Sequence, residues 1–201
     1  MLDLLVATSN AGKVREFQSL LPAWIRVVGL DAVHVVMPEE TGASFAENAR
    51  LKAIAAASQS GMLACADDSG ICVDALHGEP GIFSARYAGP GAADAANRAK
   101  LLAALAHVPA PERAARFVCS IVLADPTGVI TETEGTCEGA IGTEERGSNG
   151  FGYESLFVLP DGRTIAMVSS SEKDAVSHRG QAVRMLIPYL EGYAATHGIA
   201  R

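Results

Sequence analysis

Thr8-Ser9-Asn10-Ala11-Gly12-Lys13 places hydroxyls, an amide, a glycine and a lysine between the apolar run Leu2–Ala7 and a helical pattern. Backbone N–H groups at a helix N-terminus attract anions, and small residues let a phosphate come close to them. The segment falls short of a P-loop, because Ala7 replaces the first glycine and Val14 replaces the hydroxyl after the lysine. An ordinary strand-to-helix turn with an exposed lysine is the commoner reading of such a stretch, and it stays open here. Two acidic pairs come next, Glu39-Glu40 before a helix and Asp67-Asp68 after the apolar Leu63–Ala66. Adjacent acids are costly to bury unless a cation compensates them. A ligand set of hard carboxylate oxygens, without His or Cys, favours Mg²⁺; a solvated turn is the alternative for either pair. In the third group, Ser177 can cap a helix, which leaves His178 and Arg179 in its first turn, where cations oppose the dipole. That placement points to a ligand or to simple packing. Finally, Gly150-Phe151-Gly152-Tyr153 suits stacking on a flat base, or else a hairpin with core aromatics. Taken together, the four groups suggest Mg²⁺-dependent chemistry on a nucleotide phosphate chain.

The elements that must carry these residues alternate in the manner of an α/β protein. Leu2–Ala7 and Ile25–Leu30 read as strands, with a helix between them where Val14, Phe17, Leu20 and Leu21 recur until Pro22. Ser44-Phe45-Ala46-Glu47 is a capping-box pattern that opens an alanine-rich helix to Ser60, with Gly61 as its stop. Met62–Ala66 and Ile71–Val73 are expected as two strands on either side of a polar break. Gly78–Pro90 is too rich in Gly and Pro to be regular, and Ala93–Ala106 reads as a helix. Arg116–Ala124 and Val129–Ile141 form a hairpin around Asp125-Pro126-Thr127-Gly128. Leu156–Leu159 and Thr164–Val168 read as strands, and a last helix spans Ser177 to Ala195 with Pro188 inside it. No repeat or linker divides the chain, so residues 1–201 are read as a single domain.

Composition removes several function classes. The chain has 201 residues, long enough to bury a core without a disulfide or metal staple. Its net charge of −7 argues against a broad basic face for nucleic acid. No stretch reaches the ~18 apolar residues that span a membrane, and no basic leader opens the sequence. The four cysteines, Cys65, Cys72, Cys119 and Cys137, have no zinc-ligand spacing and read as thiols in a reducing compartment. A cytoplasmic protein is expected.

The motifs also occur in the order of a known family. Ala7–Lys13, Glu39-Glu40-Thr41-Gly42, Phe45-Ala46-Glu47-Asn48-Ala49, Ala66-Asp67-Asp68-Ser69-Gly70, Pro80–Gly89, Gly150-Phe151-Gly152-Tyr153 and Ser177-His178-Arg179-Gly180 together resemble the inosine/xanthosine triphosphate pyrophosphatases. These enzymes remove deaminated purine nucleotides. The resemblance spans nearly the whole chain. It implies a mixed, twisted central sheet flanked by helices, two lobes with an active cleft between them, and a homodimer. It implies Mg²⁺-dependent hydrolysis of ITP, dITP or XTP to the monophosphate and pyrophosphate. Carried over, Thr8, Ser9, Asn10, Ala11, Gly12 and Lys13 hold the phosphates, Glu39 and Asp68 hold the metal, and Asp68 is also the general base. Ser69, Phe151, Gly152, Tyr153, Glu154, Lys173, His178 and Arg179 complete the substrate site, with His178 or Arg179 donating to the purine 6-oxygen.

Two residues depart from the family pattern. Glu154 stands where members commonly have Asp, which puts its reach toward a base in question. Ser9 stands where many have Gly, which matters if that position needs a positive φ. The alternatives are a pyrophosphatase for modified pyrimidine nucleotides, against which His178-Arg179 argues, and a nucleotide-binding regulator without turnover, which would have lost an acidic ligand.

Overall fold

Leu4 and Val6 of β1 (Leu2–Val6) pack into one apolar cluster, while Leu5 and the following Ala7 pack into another. A strand covered on both faces reads as a continuous apolar run, as this one does. The computed structural model describes residues 1–200. The chain continues through α1 (Ala11–Leu20), β2 (Ile25–Val28), α2 (Phe45–Ser60), β3 (Ala64–Val73) and α3 (Asp94–Ala104). It then forms β4 (Ala114–Asp125), β5 (Gly128–Ile141), β6 (Phe157–Val158), α4 (Ser170–Val176) and α5 (His178–Thr196). The six strands form one mixed sheet in the order β2-β1-β3-β4-β5-β6, with β1 parallel to β2 and β3, and β6 antiparallel to β5. The expected mixed α/β fold is present.

Two compact units divide the chain. Among the described residues the first holds 1–68, 119–135 and 179–200, and the second holds 69–118 and 136–178. In the first, Ala49, Ala53, Ala56 and Ala57 of α2 are fully buried at helical spacing, and their small side chains let the helix lie close to the strands. Leu4, Phe17, Ile121, Leu186 and Leu190 build its other cluster. The second unit is centred on Ile71, Leu101, Phe117, Leu156 and Phe157.

The local signals for α2 operate as read: Ser44 Oγ accepts the N–H of Glu47, and Gly61 is left-handed at φ 71°. The two strands expected around 67–70 are instead one, since β3 runs unbroken through Asp67-Asp68-Ser69-Gly70. Lys13 and Arg179 pair with Asp67 through Oδ2, and Asn48 and Lys52 take the two oxygens of Asp68, so the strand carries both carboxylates without a polar break. Thr164–Val168 is not a strand either. Thr164 makes a single bridge to Val158, and a 3-10 turn follows at Ile165–Met167. Loop groups take up its backbone instead: Asn149 N–H donates to Ala166 O, and Ala166 N–H to Glu154 O. A short 3-10 helix, Gly81–Arg86, lies within the Gly/Pro-rich segment.

α4 opens with a reciprocal capping box between Ser169 and Glu172. Ser169's backbone N–H, then Arg163 and the Ser169 hydroxyl, hold the Glu172 carboxyl down at about 2. A depressed carboxyl stabilises the fold above its unfolded value, and that contribution is lost as pH falls toward the folded one. An NMR titration should therefore find Glu172 ionised below 4.5, its ordinary value, with α4 amide protection falling only as pH approaches about 2. A Glu172 midpoint at its ordinary value would remove the cap from the account.

Candidate active site

Asn10 caps α1: its Oδ1 accepts the N–H of Gly12 at 2.8 Å and of Lys13 at 3.2 Å. Thr8 Oγ1 in turn accepts the Asn10 N–H at 3.2 Å. The Thr8–Lys13 turn is thus a self-capped strand-to-helix corner. Lys13 extends from this corner to Asp67, with Nζ 3.0 Å from Oδ2.

Successive side chains on a strand point to opposite faces, and the adjacent aspartates of β3 diverge accordingly. Asp67 is fully buried and meets Lys13 from α1 together with Arg179 from α5, whose Nη2 lies 2.8 Å from Oδ2. Arg179 also pairs with Glu16, giving a cluster of two cations and two anions. Burial alone would raise the Asp67 carboxyl, but Lys13, Arg179 and Lys52 outweigh it and hold the group far below the usual carboxylate range.

Asp68 faces α2. Its Oδ2 accepts from Asn48 Nδ2 at 3.1 Å, and Lys52 Nζ lies 3.3 Å from Oδ1. Lys52 also donates to Glu40 Oε1 at 2.8 Å. Burial raises the Asp68 carboxyl above its ordinary value of 3.8, and Glu40 adds to the rise while Lys52 opposes it. Burial would depress the Lys52 ammonium, yet Asp68, Asp67 and Glu40 keep it above the usual lysine value. A buried carboxylate with a raised pKa, on the strand beside the one that leads into the Lys13 turn, has the character of a proton acceptor.

Glu40, rather than the exposed Glu39, shares a cation with Asp68 in this structure. The oxygens of Glu40 and Asp68 already surround one positive group, the Lys52 ammonium, so the donor set fits a hard cation. Among the described residues no cluster of three or more His, Cys, Asp or Glu could hold a metal. Two carboxylates match Mg²⁺, which takes its other ligands from water and substrate phosphates.

The second unit brings together Phe151, Glu154 and Lys173. Lys173 Nζ lies 2.6 Å from Glu154 Oε1 and 2.8 Å from Oε2, and 5.0 Å from the centre of the Phe151 ring. His178 is buried and stacks on Phe117 at 4.8 Å between ring centres. Tyr153 is a core residue, not a stacking platform: it is buried and its hydroxyl donates to Ser84 O at 2.8 Å. Gly152 accepts from Arg98 through its carbonyl, and Ser69 lies half-buried in β3. Arg179, expected as a possible donor to a base, has its guanidinium engaged by Asp67 and Glu16.

Three participants had escaped the sequence reading: Lys52, Glu16 and Asp67 as an ion-pair partner. Lys52 and Asn48 are one helical turn apart on α2, beside its buried alanines, and that spacing was the available signal.

The Ham1 family pattern matches residues 4–189. The chain belongs to the Ham1 family. A dITP/XTP pyrophosphatase of Exiguobacterium sibiricum is 48% identical over 92% of this chain and 95% of its own length. One from Thioalkalivibrio sulfidiphilus is 49% identical over 95% of this chain and all of its own. A solved HAM1 protein of Coxiella burnetii superimposes with a TM-score of 0.85 at 42% identity, covering 96% of this chain and 100% of that one.

Within this Ham1 chain both departures have a structural account. His77 is the only non-glycine with positive φ among the described residues, so Ser9 needs no glycine-like backbone. Glu154 has its extra methylene taken up by Lys173 and the Gly150 turn. Gly150 sits at φ 79°, and a Cβ there would collide with the Glu154 carboxylate. Gly150→Ala should cost about 1–3 kcal/mol in urea denaturation. A neutral result would mean that the turn does not hold Glu154 in place.

Proposed function

We propose that this chain hydrolyses deaminated purine nucleoside triphosphates, dITP, XTP and ITP, to the monophosphate and pyrophosphate with Mg²⁺. The observation that carries this reading is Asp68, a buried carboxylate with a raised pKa held by Asn48 and Lys52 on the strand next to the Lys13 turn. The names of its close Ham1 relatives support the substrate class.

Asp68, with one carboxylate of the Glu39-Glu40 pair, would hold the metal; Glu40 is the better placed of the two. When bound, Mg²⁺ neutralises charge on the phosphates and orients them. Asp68 takes the proton of the attacking water, a role worth about 10²–10⁴-fold. Attack at the α-phosphorus expels pyrophosphate as one piece. Lys13 and the Thr8–Lys13 turn supply the local positive charge that a protein of net charge −7 needs to bind a polyphosphate. Ser69 and Lys173 add polar contacts to the substrate.

Base recognition falls to Phe151, Glu154 and His178. Hypoxanthine and xanthine carry an acceptor oxygen at position 6, where adenine has an amino donor, so an N–H donor such as His178 favours them. Guanine shares that oxygen and is rejected through its 2-amino group, which an apolar or donor-lined pocket leaves unpaired at about 1–3 kcal/mol. Steady-state rates for dITP, XTP, dGTP and dATP test this: dITP should exceed dGTP by roughly 5- to 150-fold in kcat/KM. Equal rates for dITP and dGTP would sink the base-pocket reading.

The same reading carries a homodimer working on the cytoplasmic nucleotide pool. Phe83, half exposed in the Gly81–Arg86 turn, is an apolar group suited to a subunit contact. No helix among the described residues is long and apolar enough to cross a membrane.

A further inference from the structure

Lys52 is nine-tenths buried, and its ammonium is shared between Glu40 Oε1 at 2.8 Å and Asp68 Oδ1 at 3.3 Å. Asn48 takes the other Asp68 oxygen at 3.1 Å. A cation shared by these two carboxylates would occupy the place that the ammonium now fills. We propose that Lys52 is a positioning residue, the built-in counter-ion of the Glu40–Asp68 pair, and that a divalent cation has to displace it. The inference rests on the metal reading above. Burying two carboxylates without a cation is strongly unfavourable, so the metal-free protein needs Lys52 to keep both in place. Two cations competing for the same oxygens repel, so the lysine that holds the site together also weakens its grip on metal in the absence of nucleotide.

Calorimetric titration with Mn²⁺ alone, at a pH where both carboxylates are ionised, compares the wild type with Lys52→Gln. Removal of the competing charge should tighten Mn²⁺ binding by at least about tenfold. A lysine that merely supported the fold would give the opposite sign, since its loss would loosen the site. Equal or weaker binding by Lys52→Gln, or no binding by either protein, overturns the inference. A second measurement needs no variant. The ¹H–¹⁵N signal of the Lys52 ammonium, protected by burial and hydrogen bonding, should vanish as the wild type is saturated with Mg²⁺. Its persistence at saturation overturns the inference too. If the wild type still converts dITP to dIMP and pyrophosphate when either test fails, only the counter-ion role falls; if it does not, the functional reading falls as well.

Discussion

Asp68→Asn should lower kcat for dITP by about 10²–10⁴-fold and leave the thermal midpoint within about 3 °C of wild type. The activity loss follows from removing the proton acceptor. The small stability effect follows from the direction of its pKa: burial disfavours the charged form of Asp68, so a neutral amide of the same size relieves a cost. Asn48 keeps an acceptor, and Lys52 keeps Glu40. A variant with near wild-type turnover would remove Asp68 from the chemistry.

The neighbouring residue should behave in the opposite way. Asp67→Asn is expected to cost about 3–5 kcal/mol, because it leaves Lys13 and Arg179 without their shared anion in a buried cluster. For a chain of this size that lowers the midpoint by roughly 6–20 °C. The double variant Asp67→Asn/Arg179→Met should recover part of the loss, with a coupling of at least about 1 kcal/mol, since it removes one stranded charge. The sign with pH is definite. The folded Asp67 carboxyl lies far below its unfolded value of 3.8, so its contribution is complete above that value and is lost only as pH falls beneath it. A loss under about 1 kcal/mol in urea denaturation would mean that the ion-pair cluster does not hold β3 to α1 and α5.

This contrast within one dipeptide explains what was legible in the sequence. The signals for α2, namely Ser44, Glu47, the alanine spacing and Gly61, act over a few residues, and the helix begins and ends where they place it. β1 was equally plain from its apolar run. The continuity of β3 was hidden because the partners that make Asp67 and Asp68 tolerable in a strand lie on α1, α2 and α5. The α4 helix was not expected, because its seven residues give too little periodicity to mark it as a separate element and its Ser169–Glu172 capping box was left unread. At the site, residue types indicated anion, carboxylate and aromatic chemistry, whereas the division of labour depended on tertiary contacts. Tyr153 turned out to be core because Ser84 O accepts its hydroxyl, and Arg179 became the partner of two acids. Lys52 was read only as part of a helix, since its importance comes from the loop that delivers Glu40.

Hydrolysis of dITP in ¹⁸O-labelled water with Mg²⁺, followed by mass analysis of both products, tests attack at the α-phosphorus directly. The products should be dIMP and pyrophosphate in equal amounts, with the label in dIMP. Release of orthophosphate, or pyrophosphate carrying the label, would contradict that site of attack.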